Sequence, residues 1–358
     1  MTDGYPKKMK AAVTEDWEKI RVQEVAVPPM GDNEVLCRVR ACGICGTDPH
    51  ILKGELKAFG WPPGFPFIQG HEWTGEVVAV GKNVEGFSPG DRIIGETAKG
   101  CGSCDWCKRG RYNLCINFGK PKTGFRLYGH DSNGAFAEYV VRPPIVLHKM
   151  PPDMSFEEGV MMAQVIISLH TVERPGVLPT DTTLTIGPGT IGLLTFQISK
   201  AFGANRTIVA GRGYRLDIAK EYGADVVIDI EKEDLVERVM ELTGGRGADV
   251  VYETAGNEKA AESAFQTVAM GGRVALCGVT GDRKAIPVVT DMVALREIDV
   301  FGIRGGPNAF PASITLVHSG RIRVKELVTH QFPLDEVNEA FNTVLNRKDG
   351  VLKAAIIP

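Results

Sequence analysis

Apolar and polar residues alternate in short runs along the first 150 or so positions of the chain. Alternation with a period of two predicts β-strands that bury one face. Proline, glycine, asparagine and aspartate separate the runs, as expected of turns in an antiparallel sheet. The predicted strands are 9–13, 20–25, 34–40, 74–81 and 91–95. The pattern therefore predicts a mostly-β domain over residues 1–154.

The pattern changes after residue 154. Ser155 and Glu158 have the spacing of a capping box for a helix whose apolar body is 160–170. Beyond it, apolar runs typical of buried strands alternate with segments of helical spacing. The predicted strands are 183–186, 206–210, 226–229, 248–252, 273–278 and 298–301, and the predicted helices are 193–202, 215–223 and 235–242. This alternation predicts an α/β fold with a doubly wound parallel sheet over residues 155–304.

Length and charge narrow the class of protein. A chain of 358 residues is too long for a single core and suggests two domains. With 41 Lys and Arg against 44 Asp and Glu, the net charge of −3 does not indicate a nucleic-acid or anionic-membrane partner. The first thirty residues do not resemble a signal peptide, and no apolar run reaches the ~18 residues of a membrane span. We expect a soluble, cytoplasmic protein.

Half of the eight cysteines fall within fifteen positions, and they are Cys101, Cys104, Cys107 and Cys115. Overlapping Cys-x2-Cys pairs with a fourth thiol predict a closed tetrahedral site in which structural zinc staples an exposed lobe. An iron–sulfur cluster and a chance grouping are the alternatives. Three other cysteines lie in or beside apolar runs, and they are Cys37, Cys42 and Cys277. We expect their thiols to be buried and inert.

A second group of metal-binding side chains begins just after the third predicted strand. Cys45, His71 and Glu72 supply a thiolate, an imidazole and a carboxylate, which are the donor types that zinc takes in proteins. Thr47 and His50 add a hydroxyl and a second imidazole close to Cys45. The set predicts a catalytic metal site. By contrast, His130 and four other histidines lie outside both groups and are expected to have core or surface roles.

A glycine-rich segment, Gly187-Pro-Gly189-Thr-Ile191-Gly192, directly follows the predicted strand 183–186 and opens a helix. In this context the glycines indicate a dinucleotide-binding loop, because the tight turn, the approach of the pyrophosphate and the helix packing each require one. A plain glycine-rich turn is the alternative.

The end of the next predicted strand bears on the choice of cofactor. Gly211 stands where an acid would bind the adenosine ribose, and no carboxylate follows until Asp217. Arg212, with Arg215 nearby, offers a guanidinium group to a 2′-phosphate. NADP is therefore favoured. NAD is the alternative if both arginines are solvated loop charges.

Taken in order, these motifs resemble the zinc-dependent medium-chain alcohol dehydrogenases. The resemblance rests on Cys-Gly-Ile-Cys45-Gly-Thr47-Asp48, on Gly70-His71-Glu72, on the four-cysteine lobe and on the glycine-rich loop, and it covers essentially the whole chain. It implies a GroES-like catalytic domain formed by residues 1–154 and 305–358. It also implies a Rossmann cofactor domain over 155–304, and two zinc ions per chain.

The resemblance also implies roles for single residues. Cys45 and His71 match zinc ligands, and Asp48 matches the carboxylate that orients the ligand histidine. Thr47 matches the hydroxyl that contacts the substrate oxygen, and His50 matches the outer end of a proton relay. Lys353 is expected either to help neutralise the cofactor pyrophosphate or to be solvated.

One position departs from the family pattern. The family's third side-chain ligand lies seven residues before a histidine, and counting back from His170 gives Ala163, which cannot bind metal. Glu72 is the preferred substitute ligand, as in the polyol and sugar branches that this chain resembles. Gln164 and water are the alternatives. A site with fewer protein donors leaves room for two substrate oxygens, which favours a diol, polyol or sugar.

The expected function is hydride transfer between a secondary alcohol, polyol or sugar hydroxyl and a nicotinamide cofactor. An L-threonine-type amino alcohol dehydrogenase is the nearest alternative within enzymes. A non-catalytic nucleotide- and zinc-binding homologue is the alternative outside them. The predicted edge strand 298–301 suggests a homodimer or homotetramer. Phe59 and Trp61, between the metal motifs, either wall the substrate pocket or pack their loop.

Overall fold

The computed structural model describes residues 5–279 and 285–358. The chain divides into two compact units, of which the first comprises Met1–Ala163 with Val324–Pro358 and the second Gln164–Arg323. None of the helices formed by the described residues is long and apolar enough to cross a membrane.

The secondary structure elements are numbered along the chain. The strands are β1 (Lys8–Asp16), β2 (Lys19–Ala26), β3 (Val35–Gly43), β4 (Phe67–Ile68), β5 (Glu72–Val80), β6 (Arg92–Gly95), β7 (Ala98–Lys99), β8 (Arg126–Leu127), β9 (Tyr139–Arg142), β10 (Leu147–Lys149), β11 (Thr182–Ile186), β12 (Arg206–Gly211), β13 (Val226–Asp229), β14 (Ala248–Glu253), β15 (Val268–Leu276), β16 (Asp299–Gly302), β17 (Val328–Pro333) and β18 (Lys353–Ile357). The helices are α1 (Thr47–Leu52), α2 (Asp105–Lys108), α3 (Phe156–Val160), α4 (Met162–Glu173), α5 (Thr190–Ala201), α6 (Arg215–Glu221), α7 (Leu235–Leu242), α8 (Glu258–Thr267), α9 (Thr290–Leu295), α10 (Phe310–His318) and α11 (Val337–Leu345).

The first unit is built mainly on antiparallel pairing, as the alternation predicts, although β17 and β18 run parallel. Its largest sheet has the order β10-β6-β5-β3-β18-β17, with β9 also paired to β3, and a smaller sheet has the order β2-β1-β4. Trp73, Phe136 and Leu36 are among the side chains that fill its core. The C-terminal strand β18 pairs with β3 at Ala355–Gly43, and β5 pairs with the other edge of β3 at Glu72–Gly43. This register brings the C-terminal strand close to Glu72, with Gly43 between them.

The second unit is a six-stranded parallel sheet of order β13-β12-β11-β14-β15-β16. Numbered within the unit, this order is 3-2-1-4-5-6, the doubly wound arrangement that binds dinucleotides at its switch point. The central strand β11 is buried along its whole length. The predicted α/β class is confirmed. Strand β15 starts five residues earlier than predicted, at Val268 rather than Arg273, because its first part pairs with β14 before a register shift.

The limits of the units differ from the predicted boundaries at 154 and 304. Helix α3 packs on β3 and β5, so the first unit extends to Ala163. At the other end, Gln197 accepts a hydrogen bond from the Arg323 backbone N–H, which ties residues up to Arg323 to the second unit. The capping box of Ser155 and Glu158 is present. The predicted helix is interrupted at Met161 and forms α3 and α4.

Candidate metal centres and cofactor loop

Three side chains from separate segments meet at one end of the first unit's large sheet. Cys45 lies two residues beyond β3, while His71 immediately precedes β5 and Glu72 begins it. One ligand atom from each lies within 4.8 Å of the others. His71 and Glu72 are both buried, at 7% and 3% exposure. The β3–β5 pairing thus gathers one sulfur, one nitrogen and one oxygen donor, a set that fits zinc.

Asp48 contacts two of the three metal-binding residues. Its Oδ2 accepts a hydrogen bond of 2.7 Å from the Cys45 backbone N–H, and its Oδ1 lies 3.5 Å from His71 Nδ1. Asp48 is fully buried. Burial alone would lower the pKa of His71, but the Asp48 carboxylate and the Cys45 sulfur raise it well above its usual value. The arrangement orients the imidazole and leaves Nε2 free to face the other donors.

Thr47 and His50 both lie in the short helix α1 but differ in their surroundings. Thr47 Oγ1 is buried and makes no hydrogen bond within the described part of the chain. A buried hydroxyl without a partner costs free energy in the absence of a ligand, so this atom fits a site that receives a substrate oxygen. The His50 side chain is about half exposed, and its Nδ1 contacts Glu55 Oε2.

The structure corrects the expectation for Lys353. Its side chain is buried at 6% exposure, so it is not a solvated lysine. Its Nζ pairs with Glu72 Oε2 and donates a 3.0 Å hydrogen bond to the Ile44 carbonyl, so its charge is directed at the metal group rather than at a free anion site. Burial opposes the charge, yet Glu72 and then Cys45 raise the pKa of Lys353 above its usual value.

Gly43 leaves the space that this ion pair occupies. A Cβ at this position would lie 2.7 Å from Glu72 Oε2 and 3.3 Å from Lys353 Cε. Any side chain here would displace one of the two charged groups. The glycine of Cys-Gly-Ile-Cys is therefore explained by the pair, a role that the sequence alone does not reveal.

The four-cysteine lobe lies in the same unit. Cys104 begins α2, and Cys115 ends the 3-10 turn at Tyr112–Leu114. The Sγ atoms of Cys101 and Cys107 are 3.9 Å apart, and those of Cys104 and Cys115 are also 3.9 Å apart. Zinc–sulfur bonds of about 2.3 Å would place tetrahedral sulfurs about 3.8 Å apart. All four thiols are free, without disulfide bonds. The geometry matches a closed four-thiolate site.

The electrostatics of the lobe favour the thiolate at Cys101 and Cys104, whereas burial raises the pKa of Cys107 to about 12 and that of Cys115 above its usual value. Hydrogen bonds from the Ser103 and Asn117 side chains lower the pKa of Cys101 to about 5. Backbone N–H groups of Cys107 and Ile116 lower the pKa of Cys104. Thiolates are the form that binds zinc, so these donors prepare the lobe for a cation.

The glycine-rich loop joins β11 to α5, as its motif requires. Gly187 has φ of 99°, and a Cβ there would lie 2.7 Å from the Cβ of Ala255. A Cβ on Gly192 would lie 2.0 Å from the Gly187 carbonyl oxygen. Gly189 is the N-cap of α5, and Ile191 lies in its first turn. The loop is thus a tight strand-to-helix turn that exposes helix N–H groups, which suits a pyrophosphate.

Gly211 ends β12, and the two candidate arginines follow it. A Cβ on Gly211 would lie 2.1 Å from Pro188 Cδ, so packing against the glycine-rich loop also explains this glycine. The Arg212 side chain is 64% exposed, and its Nη1 lies 3.8 Å from Glu231 Oε1. A loose ion pair between exposed groups is worth little, which leaves Arg212 available to another anion. Arg215 starts α6, where its guanidinium lies over the Tyr214 ring.

The sequence assigns His130 a core or surface role and leaves Trp61 open between pocket wall and loop packing, but the structure places His130 beside His71 and Trp61 beside His130. The His130 ring lies 4.3 Å from the His71 ring, and the Trp61 ring lies 4.7 Å from that of His130, centroid to centroid. Burial, and then the charge of His71, lower the pKa of His130 to about 3. His130 is therefore part of the metal-site surroundings and not merely a core histidine. The sequence carries no signal for this, because 59 residues separate the two histidines.

Comparison with known proteins agrees with this geometry. Residues 31–152 match the alcohol dehydrogenase GroES-like domain, and residues 190–319 match the zinc-binding dehydrogenase family. The sorbitol dehydrogenase of Bacillus subtilis is 36% identical over 359 residues, which cover 100% of this chain and 99% of that protein. The L-threonine 3-dehydrogenase of Pyrococcus furiosus is 36% identical over 332 residues, covering 91% of this chain and 92% of that protein.

A solved structure of a similar protein superposes on nearly the whole chain. A protein described as a zinc-binding dehydrogenase from Sinorhizobium meliloti, bound to NADP, superposes with a TM-score of 0.90 at 32% identity, covering 99% of this chain and 100% of that one. The resemblance drawn from the motifs is thereby confirmed, and so is the pairing of a GroES-like domain with a Rossmann domain. The chain belongs to the zinc-dependent medium-chain alcohol dehydrogenases.

Proposed function

We propose that this protein is a zinc-dependent dehydrogenase that transfers a hydride between a polyol, sugar or other secondary alcohol and NADP. The observation that carries the proposal is the group of half-buried Cys45 with buried His71 and Glu72, together with the buried Thr47 hydroxyl two residues after Cys45, which has no partner among the described residues. Such a set combines metal donors with a proton-accepting oxygen, which is what oxidation of an alcohol requires. The 36% identity to a sorbitol dehydrogenase supports a polyol as the substrate.

In this proposal Cys45, His71 and Glu72 hold the catalytic zinc. Glu72 uses its two oxygens differently, because Oε2 pairs with Lys353 while Oε1 lies 3.8 Å from His71 Nε2. Oε1 is thus the oxygen offered to the metal. When bound, zinc supplies a Lewis acid that lowers the pKa of a substrate hydroxyl toward neutrality. Ala163 provides no further donor.

The chain's own groups then handle the proton. Thr47 Oγ1 accepts it from the substrate hydroxyl, since this buried oxygen has no competing bond within residues 5–279 and 285–358. Thr47 releases its own hydroxyl proton in exchange, and His50, half exposed in the same short helix, gives a proton to solvent. Asp48 keeps the His71 ring in place throughout. The nicotinamide, when bound, accepts the hydride.

The remaining sites complete the proposal. Cys101, Cys104, Cys107 and Cys115 hold a second, structural zinc ion. The N-terminus of α5, with Gly187, Gly189, Ile191 and Gly192, binds the cofactor pyrophosphate. Arg212, assisted by Arg215, binds the 2′-phosphate of NADP. NAD is the alternative cofactor, because Gly211 is also explained by its contact with Pro188.

We further propose that the protein is a homodimer or homotetramer assembled through β16. Among the described strands, β16 ends its sheet and pairs only with β15. Val300, on β16, is 45% exposed, and Leu295, at the end of α9, is 79% exposed. An apolar edge strand is a template for pairing with another chain. Light scattering tests the assembly, and Val300→Lys is expected to yield monomers.

An L-threonine-type dehydrogenase is the second candidate, since a threonine 3-dehydrogenase matches over 91% of this chain at the same identity. One experiment separates the candidates. Zinc content is measured, and the reduction of NADP and of NAD is followed with sorbitol, 2,3-butanediol, 2-butanol and L-threonine.

We expect two zinc ions per chain and chelator-sensitive reduction of NADP with the polyols. Turnover of L-threonine alone would favour the second candidate. A protein that binds zinc and nucleotide yet oxidises nothing in the panel would refute the proposed function.

A further inference from the structure

Two polar groups on neighbouring aromatic rings lie near the metal group: the Trp61 indole N–H, which is buried without a partner among the described residues, and the His130 imidazole. Trp61 packs edge-on against His130 with ring centroids 4.7 Å apart, and His130 packs against His71 at 4.3 Å. All three residues belong to the first unit. A ligand that reaches the metal group therefore lies close to the His130 ring, which Trp61 contacts in turn.

The hydrogen bonding of His130 assigns its two nitrogens. Nδ1 lies 3.4 Å from the Tyr128 carbonyl oxygen, and a carbonyl can only accept. Nδ1 of the neutral ring therefore carries the hydrogen, which leaves Nε2 as an acceptor. Within the described ranges, no hydrogen bond to Nε2 is formed. His130 presents a lone pair that needs a donor.

Trp61 presents the opposite group. Its indole Nε1 is a donor only, and it is buried without an acceptor among residues 5–279 and 285–358. Phe59 stacks on the same indole with centroids 5.4 Å apart, and Phe118 packs against it at 6.0 Å. The ring is held between aromatic neighbours. A buried donor that stays unpaired is costly, so its retention points to an acceptor supplied by a ligand.

We propose that Trp61 and His130 together bind the hydroxyl group next to the reacting carbinol, and so select vicinal diols and polyols. This inference rests on the proposed function. A hydroxyl both accepts and donates, so it satisfies the indole N–H and the imidazole Nε2 at once. The ammonium group of threonine only donates and leaves Trp61 unpaired. A simple alcohol has only a carbon-bound hydrogen in place of this hydroxyl, and that hydrogen can bond to neither ring. His130 and Trp61 are therefore specificity-determining residues.

The test compares two substrates that differ by this hydroxyl, 2,3-butanediol and 2-butanol. The readout is the ratio of their kcat/KM values in the zinc-loaded enzyme. A site built to bond a hydroxyl discriminates strongly against the analogue that lacks it. His130→Phe and Trp61→Phe keep an aromatic ring and remove the acceptor or the donor. We expect each to lower the diol-to-alcohol ratio by roughly 10-fold to 100-fold.

Two further variants separate recognition from structure. His130→Gln restores an acceptor and should recover much of the ratio lost in His130→Phe. His330→Phe is the matched control, because His330 stacks on Phe332 in β17 and touches neither ring. We expect His330→Phe to leave the ratio unchanged.

Equal losses on both substrates in His130→Phe and Trp61→Phe, or unchanged ratios, would overturn the inference. Binding to the zinc-loaded protein is measured in parallel by titration calorimetry. If the wild type oxidises neither compound, the proposed function fails. The inference is then tested by binding alone. If the wild type binds the diol more tightly than the alcohol and His130→Phe abolishes this preference, the inference is supported. Equal binding of both compounds by the wild type overturns it.

Discussion

The two metal-binding groups of the first unit are built on opposite plans. The lobe draws four identical donors from positions 101–115, and their sulfurs already stand at the separation of a zinc tetrahedron. The other group draws three different donors from segments 26 residues apart, and one of them, Glu72, is shared with Lys353. The lobe has no position left for a substrate. The mixed group has an unpartnered hydroxyl, an ion pair and aromatic polar groups around it.

The two groups therefore differ in how they contribute to the stability of the fold. A closed site converts metal binding into local stability. An open site keeps buried polar groups without hydrogen-bond partners until a ligand binds. These groups lower the stability of the ligand-free protein, and they are the groups that bind and orient the ligand. Variants of the two groups should therefore differ in what they damage, and four variants test this in order of decreasing effect.

Cys45→Ser should have the largest effect, because it removes the only sulfur donor of the mixed group. We expect turnover to fall by at least about 10³-fold, since the Lewis acid is lost, while one zinc ion per chain remains in the lobe. Metal analysis and cofactor reduction measure the two outcomes. Cys37→Ala, at a fully buried thiol outside both groups, is the control that should keep both ions. Activity within tenfold of wild type would remove the zinc assignment.

Lys353→Met should follow, because it leaves the buried Glu72 carboxylate without its partner. Breaking a buried ion pair costs about 3 kcal/mol or more when no other cation replaces the lost one. We expect this loss of unfolding free energy in the Cys45→Ser background and a clearly smaller loss in the zinc-loaded protein. Urea unfolding of the four proteins gives the comparison. Equal losses in both backgrounds would show that Glu72 does not face the metal.

Thr47→Val should act on turnover without acting on metal binding. The change removes the hydroxyl but preserves shape, so we expect kcat to fall by about 100-fold, the scale of a lost proton-transfer group. Zinc content should remain at two ions, because Thr47 is not a proposed ligand. Thr47→Ser keeps the hydroxyl and should retain most activity. A serine variant as slow as the valine variant would assign Thr47 a packing role.

Cys104→Ala should have the smallest effect on turnover, less than about tenfold, because the lobe contributes stability rather than chemistry. The lobe ion should be lost, and proteases should cleave between residues 101 and 115 in the variant but not in the wild type. Limited proteolysis with metal analysis provides the measurement. Loss of catalysis as complete as in Cys45→Ser would mean that the two groups are not independent.

Much of this organisation could be predicted from the sequence. Period-two runs predicted five strands of the first unit, β1, β2, β3, β5 and β6, but not its shorter strands or the C-terminal β17 and β18. The buried run 183–186 followed by Gly187-Pro-Gly189 predicted the turn into α5. The helix at 155 was predicted with its capping box, although its interruption at Met161 was not. These features depend on neighbours a few positions away, which is where periodicity and turn chemistry act.

The sequence by itself determined the class of fold, the two sets of metal donors and the dinucleotide loop, since each is written in residue types at short, regular spacings. Only the tertiary structure decided that Lys353 pairs with Glu72, that Gly43 makes room for the pair, and that His130 packs between His71 and Trp61 in a chain of ring contacts. Those contacts join residues that are tens to hundreds of positions apart along the chain. Strand register and loop packing bring them together, and no local pattern in the chain encodes which distant side chains will meet.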